Sequence, residues 1–309
     1  MNTPKKKYVI FTPCYNAANT IKETMGSVKA AIDFSAMAIP VFIYDDCSSD
    51  NSFAVCSDLI SDKPGFHLIK NEKNSGERKT TNEAFNKFYG SYDWAFIIHA
   101  DDIVKQDWLA ALITEIEKVN DENCFTVWSS YDTLIDKTKG IVPGDNSQHV
   151  QHIKKDMTYI RQSLVKVTSS WHISGSAINV KLYQKLNGFD EAMPQFGDTD
   201  FVAKGLLADY TDVYVSKTLM LYRISDTSVT STSYKTNRDI REIHMLIDKY
   251  ENILSKSDKL KMYRLIIRWA GKRMVKWVLK KEIKLAFLNF KQFNKSVVKY
   301  FWIKNFKNI

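Results

Sequence analysis

Apolar residues in this chain follow two rhythms that trade places along its first 120 positions. KYVIFT at 7–12, PVFIY at 40–44, the stretch 66–70 and WAFII at 94–98 are short runs rich in β-branched and aromatic residues, as in buried strands. Between them, apolar positions recur at steps of three and four. Ile21, Met25, Val28 and Ile32 predict a helix over 18–33. Phe53, Val55, Leu59 and Ile60 predict one running from a cap at Asp50 to about 61, and 80–89 predicts a third. Trp108, Leu109, Leu112, Ile113 and Ile116 predict a fourth over 106–119. Strand and helix alternating at this spacing imply an α/β fold, a largely parallel sheet with helices on both faces.

The rhythm weakens after residue 120. Residues 124–131, 173–179 and 212–224 read as further strands and 195–208 as a short helix. By contrast, 134–165 is polar and irregular, with Gly140, Pro143 and Gly144, and reads equally as an acceptor-facing loop and as a disordered excursion. From about 237 the chain becomes helical: Tyr263, Ile266, Ile267, Ala270, Met274, Trp277 and Val278 recur at helical steps with Arg264, Arg268, Lys272 and Lys276 among them. The expected organisation is an α/β domain over 1–235 and a helical, basic, amphipathic extension over 236–309.

Apolar and charged contents of 44% and 26% are those of an ordinary folded protein, but the net charge of +9 is unevenly spread. Residues 256–309 carry 16 Lys/Arg against Asp258 and Glu282, a balance of +14, which leaves −5 for the first 255 residues. A cationic tail whose apolar positions are rich in aromatics suits an anionic membrane surface. Packing on its own domain, or contact between copies of the chain, is the alternative. MNTPKKKYVIFTP runs from a basic stub straight into a strand, and no apolar stretch reaches 18 residues, so neither a secretory signal nor a spanning helix is expected. Cys14, Cys47, Cys56 and Cys124 form no CxxC pair and have no His at zinc-ligand spacing, so reduced thiols in a cytoplasm are expected.

Three acidic clusters stand where predicted strands end or in loops: Asp45-Asp46 in VFIYDDCSSDNS, Asp101-Asp102 in WAFIIHADDIV, and Asp198 with Asp200 in QFGDTDF. Converging carboxylates repel one another, so a fold that gathers them supplies a cation or a proton to share. The carboxyl edge of an α/β sheet is where such folds bind ligands. A divalent metal, Mn2+ or Mg2+, held by carboxylates and sharing its oxygen ligands with a diphosphate is the expectation.

FTPCYNAANTIKETMGSV, YDDCSSDNS, NSGERKTTNEAF and IIHADD, in this order, resemble the family 2 nucleotide-diphospho-sugar glycosyltransferases, which have the GT-A fold and invert the anomeric carbon. ISGSAINVKLYQKLNGFDE, FGDTDF and LYRISDTSVTS continue the resemblance, which covers about residues 7–232 and leaves the basic tail outside. It implies that Pro13, Tyr15 and Asn16 line the nucleotide pocket and that Asp45 accepts the imide N–H of a uracil. It makes Asp101 the main metal ligand with Asp102 second, places Arg223 near the diphosphate, and makes Asp198 the base that takes the acceptor's proton. Asp46, Ser48 and Asp50 read as cap and turn residues, and Asp200 as a helix-start residue that inherits the base role if the register slips by two.

The chain departs from the family pattern at four places. Thr80-Thr81 replace an Ala-Arg pair, which leaves Arg78 or Lys79 as the cation for the nucleotide unless both are solvated. His99 stands where relatives have Asp, as a metal ligand, a ribose contact or a polar strand-end residue. Gly197 replaces the Glu before Asp198, and Ser225 replaces a His after Arg223. Trp171 and His172 would flank the donor sugar or acceptor, although a buried Trp is more often core.

The expected reaction is metal-dependent transfer from a UDP-sugar to a hydroxyl of a glycan or lipid-linked glycan. The setting would be surface-polysaccharide assembly (O antigen or capsule), with the protein cytoplasmic and peripheral on the inner face of the membrane. A nucleotidyltransferase would need a Gly-rich phosphate loop, and FTPCYNAAN has no Gly. Nucleic acid is not an expected partner, because it would leave the acidic motifs without a role. A catalytically silent nucleotide-binding relative is the remaining alternative, given His99, Gly197 and Ser225.

Overall fold

Strand β1 (Tyr8–Cys14) is buried along its whole length because it lies inside a sheet with a helix layer on either face. A computed structural model describes residues 6–119, 121–135, 140–167, 172–224 and 229–306, so Trp171 and Ser225 lie outside the described residues. After β1 come α1 (Ile21–Ser35), β2 (Val41–Asp45), α2 (Ser52–Ile60), β3 (Phe66–Lys70) and α3 (Glu77–Phe88). β4 (Trp94–Ile97) leads through the short β5 (Ile103–Val104) into α4 (Trp108–Val119). Then follow β6 (Cys124–Leu134), β7 (Ile141–Val142), β8 (Val150–Ile153), α5 (Met157–Lys166), β9 (Ala177–Asn179), α6 (Val180–Lys185), α7 (Gly197–Leu207) and β10 (Thr211–Arg223). The last four elements are α8 (Val229–Thr236), α9 (Arg238–Lys249), α10 (Lys256–Leu279) and α11 (Ile283–Phe306).

The chain forms two compact units. The first takes Met1–Lys155, Ser170–Glu191 and Lys204–Ser225; the second takes Asp156–Ser169, Ala192–Ala203 and Asp226–Ile309. All the described strands belong to the first unit, in the order β3-β2-β1-β4-β9-β6-β10-β5, with β7 on β6 and β8 on β10. Strands β1, β2, β3 and β4 pair in parallel, as the βα alternation requires. β9 runs antiparallel to both β4 and β6, and β10 is parallel to β6. Two reversals restore direction, so β6 and β10 run the same way as β4.

Alternation along β1 divides the core. Tyr8 and Ile10 join Ile21, Met25 and Val28 of α1 and Trp108, Leu109 and Leu112 of α4 in one apolar cluster. Phe11, on the other face, meets Tyr44 and Phe88 edge-on at ring distances of 5.4 and 6.1 Å.

The polar stretch 134–165 is not irregular where it is described: it holds β7, β8 and α5. β8 is exposed at three of its four residues, so it carries no apolar run, and its strand character comes from pairing with β10. Asp156 starts α5 by accepting the N–H groups of Thr158 at 2.7 Å and Tyr159 at 3.3 Å. Strand β9 is shorter than expected because residues 172–176 turn before they pair.

In the second unit, α9, α10 and α11 enclose buried polar groups. Arg273 reaches Asp239 with both terminal nitrogens. The buried His244 ring of α9 lies 3.2 Å from Ser296 Oγ of α11 and 5.6 Å from the Tyr263 ring of α10. Burial, with Lys295 and Lys299 of α11 adding to it, depresses this imidazole to about 4. The unfolded chain therefore binds the proton first as pH falls, and stability present above about 6.5 is lost progressively toward 4. We expect His244→Gln to flatten that loss by up to about 3 kcal/mol in urea titrations followed by Trp fluorescence. Parallel pH profiles for the two proteins would refute it.

Candidate active site at one edge of the sheet

The directions of the strands decide which residues meet. β1, β2, β4, β6 and β10 all end at one sheet edge, and the antiparallel β9 begins there. That edge therefore collects Tyr15 and Asn16 after β1, Asp45 at the end of β2, His99 to Asp102 after β4, His172 to Ser176 before β9, and Arg223 at the end of β10.

Asp45 is fully buried. Its Oδ2 accepts the Ser48 N–H at 3.1 Å, while its Oδ1 is buried with no hydrogen bond among the described residues. Pro13 is buried in β1, whereas Tyr15 is half exposed just beyond it. Asn16 adopts a left-handed φ of 51° and joins the two neighbouring loops. Its N–H donates to Ser48 Oγ at 3.0 Å, and its Oδ1 accepts the Ser49 N–H at 2.8 Å. Asp50 Oδ1 accepts the Ser52 N–H at 2.9 Å, but it stands one residue before the N-cap of α2, Asn51, which makes no side-chain cap bond. Asp46 does not cap α2. It accepts Asn71 Nδ2 at 2.9 Å, the Ser75 N–H at 2.9 Å and the Gly76 N–H at 2.7 Å, fixing the loop that opens α3. Gly76 turns into that helix at φ 87°, which a side chain rarely tolerates.

Helix α3 then presents Glu77 and Arg78. Glu77 Oε1 lies 3.4 Å from His99 Nε2 and 3.4 Å from Arg78 Nη1. Burial opposes its charge, but His99 and Arg78 hold the Glu77 carboxyl well below the usual range. Burial likewise works against the His99 cation, yet Glu77, with Asp102 and Asp101 beyond it, raises the imidazole to about 9. Arg78 is buried, its guanidinium 4.7 Å from the centre of the Phe189 ring. Asn82 secures Phe189 at both ends of its backbone, accepting the N–H at 2.9 Å and donating to the carbonyl at 3.0 Å. Lys79 faces along the helix to Glu83 at 3.9 Å.

His99, Asp101 and Asp102 each offer a ligand atom within 4.8 Å of the others. Thr20 and Thr24 of the first helical segment donate to the Ala100 carbonyl at 2.9 and 3.0 Å, and Ser174 Oγ accepts the His99 N–H at 3.0 Å. Asp102 is fully buried; Oδ1 accepts the Arg223 N–H at 2.9 Å, and Oδ2 is buried with no hydrogen bond among the described residues. Burial, and then the neighbouring Asp101, pushes the Asp102 carboxyl up. A divalent cation removes that penalty, and one imidazole with two carboxylates is a donor set that suits it. Arg223 closes the group, with Nε on the Asp101 carbonyl at 2.8 Å and Nη2 on Glu23 at 2.6 Å. His172 lies beside this cluster, 5.9 Å from the His99 ring and 4.5 Å from that of Tyr222. Its neighbour Gly175, at φ 80°, has room for no Cβ against Met220 Sδ.

Asp198 and Asp200 belong to the second unit, in the first turn of α7. Asp198 is half-buried; Asp200 is fully buried, 2.8 Å from Lys249 Nζ and accepting the Tyr250 hydroxyl at 2.8 Å. Glu242 of α9 accepts the N–H groups of Gln195 at 2.9 Å and Phe196 at 2.8 Å, so α9 holds the segment on both sides of Asp198. Glu23, Glu77, Asn82 and Phe189 lie inside the family segments but carried no expected role there, and Glu242 lies outside them. Only the glutamate beside a strongly patterned Asn-Ser-Gly turn offered a hint.

The family model described as Glycosyl transferase family 2 matches residues 9–176. A teichuronic acid biosynthesis glycosyltransferase, TuaG of Bacillus subtilis (strain 168), is 27% identical over 125 residues, 40% of this chain and 46% of that protein. The chain thus spans less than half the length of that relative. Glycosyltransferase GlyG of Streptococcus pneumoniae serotype 4 is 21% identical over 242 residues, 76% of this chain and 77% of its own. Among solved structures, S. aureus TarS 1-349 in complex with UDP-GlcNAc superposes with a TM-score of 0.60 at 14% identity, covering 94% of this chain and 92% of that one. Mannosyltransferase PcManGT from Pyrobaculum calidifontis, in complex with GDP-Man and Mn2+, gives 0.57 at 14% identity over 98% and 89%. These likenesses show the fold.

Asp46→Ala would remove the buried acceptor shared by the half-buried donors of Asn71 and Ser75 and the N–H of the exposed Gly76. We expect it to lower stability by about 3 kcal/mol, read by chemical denaturation. A loss below about 1 kcal/mol would mean that water replaces the carboxylate.

Proposed function

Because the chain belongs to glycosyl transferase family 2, we propose that it moves a sugar from a UDP-sugar to a hydroxyl of a lipid-linked surface glycan, inverting the anomeric carbon. The observation that carries this reading is the pair of unmatched buried acceptors, Asp45 Oδ1 and Asp102 Oδ2, at the sheet edge shared with Arg223. Asp45 accepts the imide N–H of the uracil, with Pro13, Tyr15 and Asn16 around the base. Asp101, Asp102 and His99 would hold a divalent metal, which when bound would supply charge to offset the departing diphosphate. Arg223, tied to Asp101 and Glu23, holds cationic charge beside it, and the buried Arg78 adds more from α3.

The acceptor oxygen forms the new bond to the anomeric carbon as the bond to the diphosphate oxygen breaks, and the electron pair leaves with UDP. The acceptor's proton goes to Asp198. Asp200 is fully buried against Lys249 and Tyr250, whereas Asp198 is half-buried and so more accessible to an acceptor. The working place in this reading is the inner face of a membrane, with the protein peripheral, as the cationic aromatic tail suggests; among the described residues no helix is long and apolar enough to cross one.

Asp198→Asn is expected to lower UDP release from the matching UDP-sugar and acceptor by about 10²- to 10⁴-fold while leaving the Kd for UDP unchanged. Undiminished turnover in this variant would remove Asp198 from the chemistry, and failure of the wild type to bind any UDP-sugar would end the reading. Glu77 stands behind His99 as a carboxylate that orients a metal-binding imidazole. Glu77→Gln is therefore expected to weaken Mn2+ binding by about tenfold in calorimetry, with the thermal midpoint showing whether folding is preserved. Unchanged Mn2+ affinity would exclude that role.

A further inference from the structure

Helix α11 carries apolar residues on two faces. Its fully buried positions are Ala286, Asn289, Ser296 and Ile303, with Leu285, Phe293 and Val297 half-buried beside them. Ile283, Phe287, Phe290, Val298 and Phe301 occupy the opposite side at three- and four-residue steps, with Asn294 filling the one gap, and are between 44% and 68% exposed. Apolar surface gains by leaving water, so this second face is the one that calls for a partner. Lys284, Lys291 and Lys295 run along one flank of this stripe, all exposed, and the helix carries no acid. Leu279, the last residue of α10 just before the turn, is 79% exposed. An exposed apolar patch of this extent marks an interaction surface.

Charge and shape narrow the occupant. A row of lysines without acids fits an anionic partner, and large aromatic and aliphatic side chains beside it fit acyl chains rather than a polyanion. A second copy docked face to face with its α11 antiparallel would bring identical lysine rows together, and a parallel copy would leave each row without an acidic partner, since the helix has none. The helix is not apolar enough to span a membrane, so it would lie in the plane of the interface.

We propose that the outward face of α11 docks on an anionic lipid bilayer, with its Ile and Phe side chains among the acyl chains and its lysines at the headgroup phosphates. This deepens the reading of a lipid-borne acceptor and rests on it only for its biological purpose.

The test is co-sedimentation of the full chain with phosphatidylcholine vesicles, with and without phosphatidylglycerol, at low and high salt. The wild type is expected to bind the anionic vesicles and to weaken with salt. Phe287→Ser with Phe301→Ser, and separately Lys284→Glu with Lys291→Glu and Lys295→Glu, are each expected to lower that binding by at least about tenfold. These side chains are exposed, so circular dichroism and the Kd for UDP should stay as in the wild type. Loss of vesicle binding with UDP binding intact therefore speaks to this surface alone. Three outcomes would overturn the proposal: no preference for anionic vesicles, binding unaffected by the Phe substitutions (as for a polyanion site), or a solution dimer that those substitutions dissociate.

Discussion

Negative charge concentrated at one end of a sheet is the constraint around which the first unit is built. The edge carries Glu23, Asp45, Asp46, Asp50, Glu77, Asp101 and Asp102, and the fold answers most of them separately. Asp46 is held by two backbone N–H groups and Asn71, Asp50 by the N–H groups of Ala18 and Ser52, Glu77 by His99 and Arg78, and Glu23 by Arg223. Of these carboxylates, Asp45 Oδ1 and Asp102 Oδ2 are left buried with no hydrogen bond among the described residues. A buried acceptor without a donor costs about 1–3 kcal/mol, more when charged. Two such charged acceptors at one sheet edge are what the proposed ligand would relieve.

The antiparallel β9 explains how residues far apart in sequence join that edge. In an all-parallel sheet each strand gives the site the residues that follow it. Because β9 is reversed, the residues that precede it face the same edge, which is how His172 comes to lie beside His99. The same reversal turns β6 and β10 to run with β4, so Arg223 arrives at the end of its strand.

Much of the first unit was legible because its signals are local. β1 to β4 are apolar runs closed by turn residues, and α1 and α4 have apolar stripes at helical steps, so periodicity alone locates them. His99, Asp101 and Asp102 were legible as a cluster because they are consecutive and follow such a run. What escaped depends on partners distant in sequence. β8 is polar and exposed, and it is a strand only because β10 pairs with it. Asp46 looks like a helix cap from its neighbours, yet its donors come from residues 71–76. Glu77 lies in a family segment without an expected role, and its position opposite His99 arises from the packing of α3 beside the end of β4. Glu242, which bonds the backbone just before Asp198, lies more than 40 positions downstream.

Helix α11 shows the same limit from the other side. Its apolar residues have helical periodicity on two faces, so the sequence marks it as a helix without saying which face is inward. Packing decides: the face with Ala286, Asn289 and Ser296 is the one that lets His244 of α9 approach Ser296, whereas a face bearing Phe287, Phe290 and Phe301 would fill that space with rings. The small residues are therefore selected by the close approach of the helices within the second unit, and the large ones are released to the outside. Releasing them is costly in water, and the cost disappears only against a medium that is itself apolar. The lysine row beside them is what makes the proposed medium one with negative charge at its boundary.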